Sequence, residues 1–171
     1  MLPWAGVAIP IDQQISKNDE RGQFFTFLPL GIRTKSKAHM QGWFELDDKR
    51  TSIVLKAGND DQAPLVQWNL MLAESAIGEA WAELLLQYKH NLSEAEYYQF
   101  WPNLSKDSDE ITSYIQKGFY KRMAKAECLK IWHKDNFYWA KPSIEHFYCT
   151  RQAKVEAPTK ELKKSYRKNL N

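Results

Sequence analysis

Two groups of residues in this 171-residue chain have types and spacings that could do chemistry. The first is a basic loop. In "GIRTKSKAH", Arg33, Lys35, Lys37 and His39 fall within seven residues, with no acid between them. The loop lies between two apolar runs, "QFFTFLPL" and "AHMQGWFEL". Cations on such a loop can hold an anion; they can equally discourage edge-to-edge pairing of the strand beside them. The second group is Cys128-x4-His133 followed by His146-x2-Cys149. Two thiols and two imidazoles are a zinc-type ligand set. The first spacing is not C-x2-C and aromatic residues surround all four, so the expectation is two cysteines packed as small hydrophobes and no metal. The carboxylate pairs Asp47-Asp48 and Asp60-Asp61 sit beside turn residues. A general acid needs burial to raise its pKa, and these read as solvated loop ends.

The motifs of common catalytic classes are missing. There is no P-loop, no G-x-G-x-x-G, no G-x-S-x-G and no H-E-x-x-H. Seven glycines scattered along the chain form no loop that wraps phosphate with backbone amides. No catalytic residue is assigned.

The elements that must position these groups follow from periodicity. "QFFTFLPL" reads as a strand that Pro29 ends or places at a sheet edge. "AHMQGWFEL" is a second strand and "TSIVLKA" a short third candidate. Next, Leu70, Ile77, Trp81, Leu84 and Tyr88, with Ala73 between, mark one face of a long helix. Met71, Leu72 and Leu85 widen that face, so the helix is expected against a sheet. Gly78 within it suggests a close helix–sheet contact. Ser93 ahead of Glu96 is a capping box for a short helix that Pro102 ends. "DEITSYIQKGFYKRMAKAECL" is a third helix. "KIWHKDNFYWAKP" reads as a hairpin turning at Asp135-Asn136. "SIEHFY" is a further helix candidate. The order implies an α+β fold: a mixed or antiparallel sheet backed by helices, with a helical and hairpin C-terminal part. The divisions expected are 1–91 (sheet plus long helix), 92–153 (helices and aromatic hairpin packed on it) and 154–171 (basic tail).

Charge is unevenly placed. The tail carries Lys154, Lys160, Lys163, Lys164, Arg167 and Lys168 against Glu156 and Glu161, which leaves the body near neutral despite a net charge of +3. A neutral body argues against a nucleic-acid module built on the tail and the Lys/Arg-interleaved aromatics of "KGFYKRMAK" and "KIWHKDNFYWAK". That module is the alternative reading, and a small enzyme around His133, Glu145 and His146 is a third. Two distant cysteines, no membrane-length apolar run and no leader pattern at Met1 set the expectation of a cytoplasmic protein without a membrane partner.

The order of motifs resembles the sacsin family, whose repeats are built around an ATP-binding domain like that of the ninety-kilodalton heat-shock chaperone (the GHKL type). The resemblance lies in Phe27-Leu28-Pro29-Leu30; in His39, Gly42, Phe44 and Leu46; in Lys49 and Arg50; and in Trp68-Asn69. It continues through "YYQFWPN", "GFYKRM" and "WAKPSIEHFY", and "LPWAGVAIPI" resembles the segment ahead of the first strand. It covers roughly Leu2 to Tyr148. The loop departs from the family pattern, and the family's Glu-x-x-x-Asn-Ala and Asp-x-Gly-x-Gly nucleotide motifs are absent. The resemblance therefore implies a non-catalytic part that follows the ATPase domain, with a transducer-like sheet of ribosomal-protein βαβ type. It implies no cofactor on this chain alone and ATP with Mg on a neighbouring domain, in cis or in trans. A client protein is a further partner in that reading, and nucleic acid is not. In GHKL proteins such a part commonly sends one cation to the γ-phosphate of ATP bound next door, and Arg33, Lys35 and Lys37 are the candidates for that reach.

Overall fold

Alternation decides which face of the sheet is inside. In strand β2 (Gln23–Thr26), Phe24 and Thr26 are buried and their neighbours are half-exposed. In β4 (His39–Gly42), Met40 and Gly42 are buried and His39 and Gln41 are not. These are the period-two patterns of a sheet with one face on a core. The two strands run parallel, with Phe24 opposite Met40. Strand β1 (Ala5–Ala8) pairs antiparallel with β4, and β3 (Leu28–Arg33) pairs antiparallel with β2. The sheet order is β1-β4-β2-β3, a mixed sheet within an α+β fold. The computed structural model describes residues 3–10, 21–56, 63–104, 109–133 and 136–142.

The run "QFFTFLPL" is two strands, not one. Phe27 turns the chain with a φ of 59°, so β2 and β3 form a tight hairpin. Pro29 then sits on the edge strand, where its missing N–H costs no ladder bond. The chain returns from β3 to β4 by a loop, so the parallel pair is joined by an edge strand and not by the helix of a βαβ unit. "TSIVLKA" forms no strand in its described part; it contributes one bridge, Leu46 to Ile53.

The long helix is present but changes pitch. It runs as α1 (Pro64–Met71), a π-helical turn (Leu72–Gly78) and α2 (Glu79–Tyr88). Its buried residues include Asn69, Ala73, Ile77, Trp81 and Leu85, a constant spacing of four. On an ideal α-helix each such step drifts about 40° around the axis. The wider π turn absorbs part of that drift and keeps the stripe facing inward. Leu70, Leu84 and Tyr88, expected on that face from the 3.6-residue period, lie at its margin or outside it. The helical run packs on β1 and β4.

Gly78 makes its close contact with a helix, not with the sheet. It faces α4 (Glu110–Met123), where an added Cβ would come within 2.6 Å of the Ile115 carbonyl oxygen. From the other side, a Cβ on Gly118 would lie 1.8 Å from the Glu74 carbonyl oxygen. The backbones touch at this crossing. Glu74 accepts from Lys117 at 2.7 Å and lies 3.6 Å from Lys121, while Arg122 pairs with Glu83. The Lys117 hydrogen bond holds the Glu74 carboxyl below its ordinary pKa.

Helix α3 (Glu94–Gln99) begins at the Ser93 capping box. The hairpin is β5 (Leu129–His133) with β6 (Asn136–Ala140); Asn136 opens β6 opposite His133. One buried cluster extends from Phe24 to Cys128 and takes in Tyr97, Phe100, Ile115 and Phe119. The "SIEHFY" segment, the tail and the Asp60-Asp61 pair lie outside the described residues.

Candidate functional site

The family-like motif residues mostly build the fold. Asn69 is fully buried and ties three backbone groups together: its Oδ1 accepts from the Glu45 N–H, and its Nδ2 donates to the Glu45 and Val54 carbonyls, all at 2.8 Å. Trp68 donates its indole N–H to the Trp43 carbonyl at 2.7 Å. Phe44 packs edge-on against Phe24 in the core. Gly42 lies so close to the helical run that an added Cβ would be 3.0 Å from the Leu72 side chain. Pro29 and His39 are exposed on their strands, the latter with its ring beside Phe25.

Arg50 is a turn residue, with a φ of 55° and its N–H donated to the Asp47 carbonyl. Asp47 caps the same turn. Its carboxylate accepts from the Thr51 N–H at 2.6 Å, the Thr51 hydroxyl at 2.9 Å and the Ser52 N–H at 3.1 Å. The Ser52 and Thr51 bonds pull its pKa from the ordinary 3.8 to about 2, opposite to what a general acid requires. A carboxylate held low contributes stability above pH 3.8 and loses it as pH falls towards 2. The stability advantage of wild type over Asp47→Asn should therefore be full at neutral pH and shrink across that acid window in denaturation experiments. An advantage that is constant from neutral pH to pH 2 would count against the capping role.

The three candidate cations separate. Lys35 and Lys37 line an open cleft of about 240 Å³ with Arg21, Ser36, Gln99, Trp101 and Asn103. Arg33, at the end of β3, is not among the lining residues. The loop is a built structure. Thr34, 2% exposed, donates its hydroxyl to the Ser36 and Ala38 carbonyls at 2.8 Å. The Gly22 N–H reaches the Ser36 carbonyl, the Thr34 N–H reaches the Gly22 carbonyl, and the Ala38 N–H reaches the Ser36 hydroxyl. Lys35 lies 3.6 Å from Asp109, the N-cap of α4.

The opposite wall comes from "YYQFWPN". Tyr97, fully buried, donates its hydroxyl to the Cys128 carbonyl at 3.1 Å; burial raises its pKa. Trp101 packs on Phe119 and Tyr120, and the Tyr120 hydroxyl donates to the Pro102 carbonyl. Gln116 donates to the Asn103 carbonyl. These bonds leave Gln99, Trp101 and Asn103 facing the basic loop. A smaller recess of about 20 Å³ shares Lys35, Ser36 and Asn103 with the cleft and is also lined by Trp81. Trp81 is 2% exposed, and its indole N–H meets no acceptor among the described residues.

Of the cleft residues, the sequence singled out Lys35 and Lys37 and passed over Arg21, Gln99 and Asn103. The signal was present in Gln99 and Asn103, polar residues bracketing the aromatic pair of "YYQFWPN". Their meeting with a loop more than sixty positions earlier is a tertiary event that no local period reveals.

The lining does not fit a Mg-nucleotide. It contains no carboxylate for the metal, and the loop amides named above are used within the loop. Cys128 is buried and donates its thiol to the Met123 carbonyl at 3.3 Å. Burial pushes that thiol up to about 11, away from a reactive or metal-binding thiolate. Among the described residues no three His, Cys, Asp or Glu side chains are grouped to hold a metal; His146 and Cys149 lie outside them. No described helix is long and apolar enough to cross a membrane.

This chain is similar to human sacsin. The identity with Sacsin of Homo sapiens is 27% over 124 residues, 61% of this chain. The match spans 3% of that protein's length. No protein-family description matches the chain, and no solved structure matches it. A sacsin-like relation thus has support from overall similarity; among the motif residues, Phe44 packs in the core, and Trp68 and Asn69 tie the helical run to the Trp43, Glu45 and Val54 backbone.

Proposed function

We propose that this chain is a non-catalytic accessory module of a sacsin-like, chaperone-type ATPase. It acts by contact: it couples the nucleotide state of an adjacent ATPase domain to its neighbours, or it holds a client protein. The similarity to sacsin supports the family side of this reading. The observation that carries the contact side is the cleft, where Arg21 and the braced loop bearing Lys35 and Lys37 face two amides, Gln99 and Asn103, from a distant part of the chain. Buried groups elsewhere are spent on structure: Asn69, Tyr97 and Cys128 all have backbone partners. In this reading the protein is cytoplasmic, and ATP with Mg belongs to the neighbouring domain.

The test is turnover. A sacsin-like ATPase domain, supplied with this chain in cis or in trans, should change its ATP hydrolysis rate by about threefold or more, a coupling of ordinary size. Lys35→Ala with Lys37→Ala should return the rate to that of the ATPase domain alone. A rate indifferent to the chain would refute the coupling form of the proposal.

A further inference from the structure

We infer that the cleft takes a short acidic peptide segment of a partner protein. This rests on the accessory reading and names the chemistry of its contact. Arg21, Lys35 and Lys37 supply charge for carboxylates. Gln99, Asn103 and Ser36 each carry both a donor and an acceptor, which suits the alternating N–H and C=O of a peptide backbone. A phosphate group would use only the donor half of each amide, whereas a peptide backbone uses both halves. Trp101 offers a flat apolar wall for a flanking side chain. The adjoining recess is lined in part by Trp81, a residue whose buried indole N–H has no acceptor among the described residues.

Size agrees with this choice. At about 240 Å³ the cleft falls below the roughly 300–1,000 Å³ of pockets that enclose a whole small ligand. It is an open trough suited to a few residues of a longer chain. Lys35 is preplaced by Asp109 at 3.6 Å, a half-exposed pairing that an incoming carboxylate can replace.

Fluorescence anisotropy on the full chain tests the inference. The probes are a fluorescein-labelled peptide alternating Glu and Ser around one Phe, and its counterpart with Gln at each Glu. The Gln peptide should bind at least about tenfold more weakly, and Lys35→Ala with Lys37→Ala should cost the Glu peptide a similar factor. Gln99→Ala with Asn103→Ala should weaken the Glu peptide about fivefold without changing its salt dependence, which mere charge attraction would not do. Unchanged melting midpoints would show that the variants are folded. The inference fails if neither peptide binds, if both bind equally, or if the amide variant binds like wild type. It also fails if inorganic phosphate or ATP displaces the Glu peptide more readily than unlabelled peptide does. Should it fail while the lysine variant still abolishes the effect on ATP turnover, the accessory reading stands and only the partner chemistry is wrong.

Discussion

Gly118→Ala should destabilise the protein by about 3 kcal/mol, a large share of the stability of an ordinary domain. The sign is diagnostic. In an exposed helix interior the same change gains about 1 kcal/mol from helix propensity. Here the new Cβ would lie 1.8 Å from the Glu74 carbonyl oxygen, an atom of a backbone and not the end of a flexible side chain. The two helices must move apart to admit it. Gly78 sits in the same crossing, where an added Cβ would lie 2.6 Å from the Ile115 carbonyl oxygen, so both glycines mark one close contact. The ion pairs of Glu74 with Lys117 and Lys121 flank the crossing and would be lost with it. Gly31→Ala is the control, since an added Cβ there meets nothing within 4 Å. Urea midpoints should separate the two variants widely; a Gly118→Ala protein as stable as the Gly31→Ala protein would contradict the packing described.

Asn69→Leu should cost about 3 kcal/mol or more. Its side chain accepts from the Glu45 N–H and donates to the Glu45 and Val54 carbonyls. Leucine keeps the branched shape and the number of side-chain heavy atoms and is somewhat larger, so no cavity opens; the loss reports unsatisfied backbone groups with some overpacking. Hydrogen exchange localises the effect: the Glu45 amide should lose protection well before the amides of α4. A variant with wild-type midpoint and unchanged Glu45 exchange would show that the segment from Glu45 to Val54 is held by other means.

Much of the architecture was legible because local chemistry decided it. Ser93 and Glu96 form the capping box their spacing implied, with the Ser93 N–H donated to Glu96 at 2.9 Å. The aromatic hairpin pairs from Leu129 with Ala140 to His133 with Asn136. Two features escaped local reasoning. The φ of 59° at Phe27 splits an apolar run that alternation reads as one strand, because nothing in a phenylalanine announces a left-handed turn. The π turn at Leu72–Gly78 keeps Asn69, Ala73, Ile77, Trp81 and Leu85 inward and leaves Leu84 and Tyr88 at the margin or outside, and it ends at Gly78, where the run crosses α4, a tertiary contact that no local period announces. The site divides in the same way. Lys35 and Lys37 stood out as charges in an apolar setting, while Arg21, Gln99, Trp101 and Asn103 acquire meaning once residues 99–103 are placed beside the loop.

Chemical-shift mapping tests the central claim most directly. The ¹⁵N-labelled chain is titrated first with Mg-ATP alone, then with a sacsin-like ATPase domain loaded with nucleotide. The account predicts no saturable shifts in the first titration. In the second it predicts shifts concentrated at residues 34–38 and 99–103, removed by Lys35→Ala with Lys37→Ala. Saturable binding of Mg-ATP by the chain alone, or shifts confined to the β5–β6 hairpin, would contradict it.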